Sequence, residues 1–198
     1  IRGKDLPNSP LVNCKLIVSD KGMSFLFINK FKIPLLFKNY YKDIILYEEN
    51  SFFEVLNNLN NGNFCVDKNT CSIFDRCLIE SRFKIKPKND PIYNLKSIKN
   101  KIEIKNTLKA HIEDGVALTK FLYWCKNNKK EKTEKMVENK LQALRKISEN
   151  YLFPSFETIA GSGPNGAIIH YKSTAQTNRK IKKNDILLVD SGGQYKWG

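Results

Sequence analysis

The chain has 198 residues, 41 % of them hydrophobic, and a formal net charge of +14. That suffices for one sizeable core or two small ones, and no run approaches the ~20 consecutive apolar residues of a membrane span. The charge is almost all lysine amid heavy Asn and Ile use, with no Arg-rich, aromatic-interleaved patch, so neither nucleic acid nor a membrane is expected as a partner.

In chain order, Ile1–Asp5 lacks the basic-then-apolar layout of a signal peptide and contains no initiator Met; a cytoplasmic piece of something longer is expected. Met23–Asn29 and Asp43–Tyr47 are apolar runs of strand length. Phe52, Val55, Leu56 and Leu59 fall at helical spacing, and the Asn57–Asn63 cluster ends that helix. Cys65, Cys71 and Cys77 are evenly spaced but too far apart for a C-x2–4-C zinc pair; reduced thiols are expected. The polar Lys86–Pro91 stretch, with a proline at each end of its core, marks a boundary that separates domains 1–90 and 91–198.

Beyond it the period turns helical. Leu95, Ile98, Ile102, Leu108, Ile112, Leu118 and Leu122 predict one long amphipathic helix, or two in series, that packs on a core. His111 on the same helix reads as structural. Lys126–Lys135 suits a solvated turn, after which Thr133 caps a second helix with Val137, Leu141 and Leu144 buried and Asn150 closing it. From Tyr151 the pattern returns to strands. Thr158–Ser162 is short, Gly161–Gly166 is a turn-rich loop, Ala167–Tyr171 reads as a strand, and Ile186–Asp190 reads as a buried strand. The class expected is α+β.

Two residues on these last strands are candidates for chemistry. Asp190 ends an apolar run and precedes Ser191-Gly192-Gly193, where the backbone can turn sharply or approach another group. A carboxylate there suits a metal ligand, and capping the turn is the structural alternative. His170, within AIIHY, is by itself either a satisfied core histidine or a catalytic one.

The block PSFETIAGSGPNGAIIHYKSTAQTNRKIKKNDILLVDSGGQY resembles the catalytic domain of the Xaa-Pro aminopeptidases (aminopeptidase P), metallopeptidases of the creatinase-like pita-bread fold. Its D-S-G-x-Q-Y runs from Asp190 to Tyr195. IRGKDLP resembles a segment of that family's second, non-catalytic domain, and Ala110–Ala117 matches the A-H-I-x-D-x-V-A core of the first catalytic-domain helix. The likeness is weakest over Lys15–Asn89, and it favours the three-domain form of the family.

The resemblance implies the later part of a middle domain followed by the first half of a catalytic domain. It implies an enzyme that uses two divalent ions, usually manganese, to release the N-terminal residue from peptides with proline second, and a homodimer when complete. Asp190 would be the first metal ligand. His170 would contact substrate near the scissile bond and stabilise the transition state. Trp197 stands where the family usually has Asp, and the family's further ligands (an Asp, a His and two Glu) fall beyond Gly198. The chain alone is therefore expected to be inactive. Two other readings remain: a catalytically dead scaffold of the same fold, and another enzyme of the fold such as prolidase or methionine aminopeptidase.

Overall fold

The computed structural model of the chain describes residues 3–60 and 62–198. Ile1 and Arg2 of the IRGKDLP segment, and Asn61 of the asparagine cluster, lie outside them. The described chain divides into two compact units: Gly3 with Val12–Ile98, and Lys4–Leu11 with Lys99–Gly198. Helices and strands occur in both, as the α+β class requires. The Lys86–Pro91 stretch lies within the first unit. Among the described residues no helix is long and apolar enough to cross a membrane, and the five cysteines are free thiols.

In the first unit, β1 (Lys15–Val18) runs antiparallel to β2 (Ser24–Phe27). A short helix, α1 (Phe37–Tyr40), lies on the path to β3 (Ile44–Tyr47), which pairs with β2 in parallel. Helix α2 (Phe52–Asn58) buries Phe52, Val55 and Leu56, the helical spacing read from sequence. A β-α-β unit follows: β4 (Asn63–Val66), α3 (Ile73–Glu80) and β5 (Lys84–Pro87), the strands parallel. Ser72 caps α3 by accepting from the Asp75 N–H at 3.0 Å. Phe27, Phe52, Val55, Leu56, Val66, Ile79 and Phe83 form one core. Helix α4 (Pro91–Ser97) closes the unit, with Asp90 as its cap and Pro91 at its first position, where a missing N–H costs nothing.

The second unit is built on α5 (Lys101–Asn127) and α6 (Glu134–Arg145). Asn100 and Glu103 satisfy each other's backbone N–H groups in a capping box that starts α5. Thr133 caps α6 as expected, although the helix closes at Arg145 and not at Asn150. Val137 and Leu141 are fully buried with Phe121 and Ala160; burying each of the two aliphatic side chains contributes about 1.5–3 kcal/mol. The expected stripe of α5 is corrected. Leu108, Ile112 and Leu122 are exposed, and Ala110, Ala117 and Phe121 face inward. Leu118 of the expected stripe does pack, partly buried, against the Phe121, Val137, Leu141 and Ala160 cluster.

Strand β6 (Tyr151–Pro154) pairs with β9 (Gly193–Tyr195), and β7 (Ile159–Ser162) pairs with β8 (Leu187–Asp190), both antiparallel. Two further expectations fail here. Ala167–Tyr171 is no strand: Gly163–Ala167 winds into a 3-10 turn, and a tight reversal closes from the Tyr171 N–H to the Ile168 carbonyl at 3.3 Å. Strand β8 is not buried on both faces, since Ile186 just before it is 83 % exposed and Leu188 within it 43 %.

Candidate functional site

Asp190 is the last residue of β8, opposite Ile159 of β7. Its side chain is exposed, and among the described residues no hydrogen bond or ion pair holds its carboxylate. A capping role for this side chain therefore has no acceptor bond to support it. Two oxygens free of protein donors suit a hard divalent cation, which takes carboxylate ligands readily. Among the described residues no group of three or more His, Cys, Asp and Glu side chains stands close enough to hold a metal ion.

The turn after Asp190 is fixed by its neighbours. Gly192 accepts from the Ser155 N–H at 3.0 Å, and a Cβ on Gly192 would collide with the Ser155 hydroxyl. Arg145, 1 % exposed, reaches this turn from the end of α6. Its Nε donates to Asp114 Oδ1 at 2.7 Å and its Nη2 to Asp114 Oδ2 at 3.1 Å, a two-pronged pair. The same Nη2 donates to Ser191 Oγ at 3.2 Å. Tyr195 donates its hydroxyl to Asp114 Oδ1 at 2.7 Å. Thus Ser191 and Tyr195 of D-S-G-x-Q-Y are tied to Asp114 of α5 and Arg145 of α6, and the carboxylate of Asp190 is left outside.

Burial alone would raise the pKa of Asp114. The hydrogen bonds from Arg145 and Tyr195, with the arginine charge, outweigh that and hold it below the ordinary carboxylate range. Burial, and then the bond to Asp114, push the Tyr195 phenol far up, so it stays a donor.

His170 sits on the long connection from β7 to β8. It is exposed and adopts φ +54°, a left-handed conformation that costs most residues strain but that His tolerates better than most. It lies outside any strand, and the reading of His170 on a strand beside that of Asp190 is withdrawn. Its neighbour Tyr171 is buried and donates to Glu134 Oε2 at 2.6 Å. The start of the connection is clamped by Arg179, which donates to the Ser162 carbonyl at 2.8 Å and to Asp185 Oδ2 at 2.9 Å. Gly163 there has φ +55°, and a Cβ would meet the Arg179 guanidinium.

Residues 1–103 match the creatinase/prolidase N-terminal domain, and residues 105–198 match metallopeptidase family M24. The chain belongs to the creatinase/prolidase family. A creatinase/prolidase N-terminal domain is thus followed by the start of an M24 domain, in the order the sequence implies. An Xaa-Pro aminopeptidase of Drosophila melanogaster is 34 % identical over 210 residues, which cover 98 % of this chain and 33 % of the fly protein. Aminopeptidase P2 of Arabidopsis thaliana is 29 % identical over 231 residues, 98 % of this chain and 32 % of that one. The chain spans about a third of the length of these curated relatives. In fold it is similar to the X-prolyl aminopeptidase of Caenorhabditis elegans, described as a cytosolic enzyme with a di-nuclear active site. The TM-score is 0.87 at 24 % identity, over 100 % of this chain and 34 % of the worm enzyme. Prolidase from Pyrococcus furiosus gives 0.67 at 24 % identity, over 94 % of this chain and 53 % of that one.

Sequence reading singled out Asp190 and His170 but missed what holds them in this creatinase/prolidase chain. Asp114 lies inside the quoted Ala110–Ala117 core, so a signal existed. Glu134 lies in the Lys126–Lys135 run expected to be a solvated turn, and no local pattern singles out Arg145 before its partner segments are known.

Proposed function

We propose that the complete product of the gene encoding this chain is a metal-dependent aminopeptidase that releases the N-terminal residue from peptides with proline second. The observation that carries this reading is Asp190, a free, exposed carboxylate at a strand end whose following motif is locked from behind by Arg145 and Asp114. The relatives named as Xaa-Pro aminopeptidases, and the di-nuclear site of the worm enzyme, support it. In this reading residues 1–90 form the later part of a middle, non-catalytic domain, and residues 91–198 form the first half of the catalytic domain. The complete enzyme is a cytoplasmic homodimer.

Asp190 would hold one of two divalent ions, manganese being suited to carboxylate and imidazole donors. Two such ions, when bound, would make a water acidic enough to ionise near neutral pH and would polarise the peptide carbonyl. His170 presents its imidazole to solvent from a fixed turn and contacts the substrate near the scissile bond, where an N–H donor is worth most as charge builds on the carbonyl oxygen. Locked by Ser191 and Tyr195, the backbone beside Asp190 needs no reorganisation when a cation arrives.

The test is hydrolysis of peptides of at least three residues with proline second by the purified gene product. Release of the first residue, stimulated by Mn²⁺ and abolished by a chelator, is the expected result. No hydrolysis under any metal would leave a scaffold, and cleavage restricted to Xaa-Pro dipeptides would mark a prolidase.

A further inference from the structure

Glu134, at the first position of α6, is 0 % exposed, and among the described residues it has no cationic side-chain partner. The guanidinium of nearby Arg179 is turned to Asp185 and Ser162 instead. A buried carboxylate of this kind persists only where enough donors replace water. They come from four places on the connection that carries His170. Oε1 accepts from the Ser162 N–H at 2.7 Å and from Asn165 Nδ2 at 3.0 Å. Oε2 accepts from the Tyr171 hydroxyl at 2.6 Å and from the Arg179 N–H at 3.0 Å. Burial would raise this carboxyl's pKa; the bonds from Tyr171, Arg179, Ser162 and Asn165 outweigh it and keep the group ionised.

These four donors lie at the beginning, the 3-10 turn, the middle and the far end of residues 162–179. One turn along α6, Glu138 accepts from Ser173 Oγ at 2.8 Å on the same connection. His170 directly precedes Tyr171, and its positive φ stands third in the Ile168–Tyr171 reversal, the place where a type II turn requires it. With the Tyr171 hydroxyl held by both Glu134 and Asn165, the turn that carries His170 is anchored through the next residue and not through His170 itself.

We infer that Glu134 is a positioning residue for His170: its buried carboxylate gathers residues 162–179 and thereby aims the imidazole. The catalytic part of this inference rests on the role of His170 given under the proposed function. Glu134→Gln keeps the shape but replaces one acceptor oxygen with an NH2 group, which faces donors.

The experiment compares wild type, Glu134→Gln, His170→Ala and the double variant of the complete gene product by amide hydrogen exchange, metal content, kcat and KM. In Glu134→Gln, exchange over residues 163–179 should rise by about tenfold or more, since bonds to a charged acceptor are lost. Exchange over β6 and β9 and the metal content should hold. kcat should fall with KM little changed, and the double variant should lose no more than His170→Ala alone, because both act through one group. Unchanged exchange over 163–179 overturns the inference, and so do losses that add in full. If His170→Ala keeps its turnover, the role of His170 fails, and exchange alone decides for or against Glu134 as the holder of the connection. Should Glu134→Gln not fold, Tyr171→Phe removes one donor from the same carboxylate, and the same outcomes decide.

Discussion

Arg145→Ala is expected to destabilise the second unit by about 3–5 kcal/mol, the usual cost of stranding one partner of a buried ion pair. Arg145 is the most buried charge paired with an opposite charge in the described chain, and its loss leaves Asp114 with only the Tyr195 hydroxyl as a hydrogen-bond donor. Ser191 loses a donor as well. The arginine stem is also packed, so part of the loss is cavity. Urea unfolding of wild type, Arg145→Ala, Asp114→Ala and the double variant measures the pair directly, and the coupling between the two sites should exceed about 1 kcal/mol. A loss below that figure for Arg145→Ala would show that water enters and replaces the guanidinium.

The same pair predicts a pH dependence whose sign is fixed. Asp114 has a folded pKa below its unfolded value. Its contribution is therefore complete above the unfolded value, about pH 4, and is lost as pH falls through the folded one. Arg145→Ala should flatten that acid limb of stability.

In the complete gene product, His170→Ala is expected to lower turnover of an X-Pro peptide by about 10²–10³-fold, the usual cost of losing one transition-state donor. Substrate binding should weaken less than turnover if the contact tightens as charge develops. Support for this comes from the turn rather than from a strand. The imidazole is exposed, its backbone is held in a left-handed conformation, and Tyr171 beside it is anchored at 2.6 Å to a buried carboxylate. An exposed residue whose backbone is held in that conformation, with no hydrogen bond or ion pair to its side chain among the described residues, is poorly explained as core packing. Steady-state kinetics of the variant against wild type give the answer, and unchanged turnover would return His170 to an ordinary surface histidine.

The parts of the fold that were legible in the sequence are those set by local pattern. Thr133 as a cap, Val137 and Leu141 as the buried stripe of α6, and the helical spacing of Phe52, Val55 and Leu56 all come from side chains within two turns of one another. The D-S-G-x-Q-Y block was legible as a motif because its residues are contiguous. What failed depended on distant partners. AIIHY has the composition of a strand, yet Gly163-Pro164-Asn165-Gly166 starts a 3-10 turn, and Glu134 pulls Tyr171 inward across the fold. The aliphatic side of α5 looked like a core face by size. Leu118 of that side does pack on the core cluster, but the buried residues of the helix are Ala110, Ala117 and Phe121, set by partners that lie far off in sequence. Glu134 falls within the Lys126–Lys135 run read as a solvated turn, and nothing local to Arg145 announces its buried partner.

The central claim, that Asp190 is a metal ligand and His170 is not, is tested most directly by metal content in one series of the complete gene product. Elemental analysis after gel filtration in Mn²⁺-free buffer should find two ions per chain in wild type, two in His170→Ala and fewer than two in Asp190→Asn. Two ions retained by Asp190→Asn, or one lost from His170→Ala, would contradict the account.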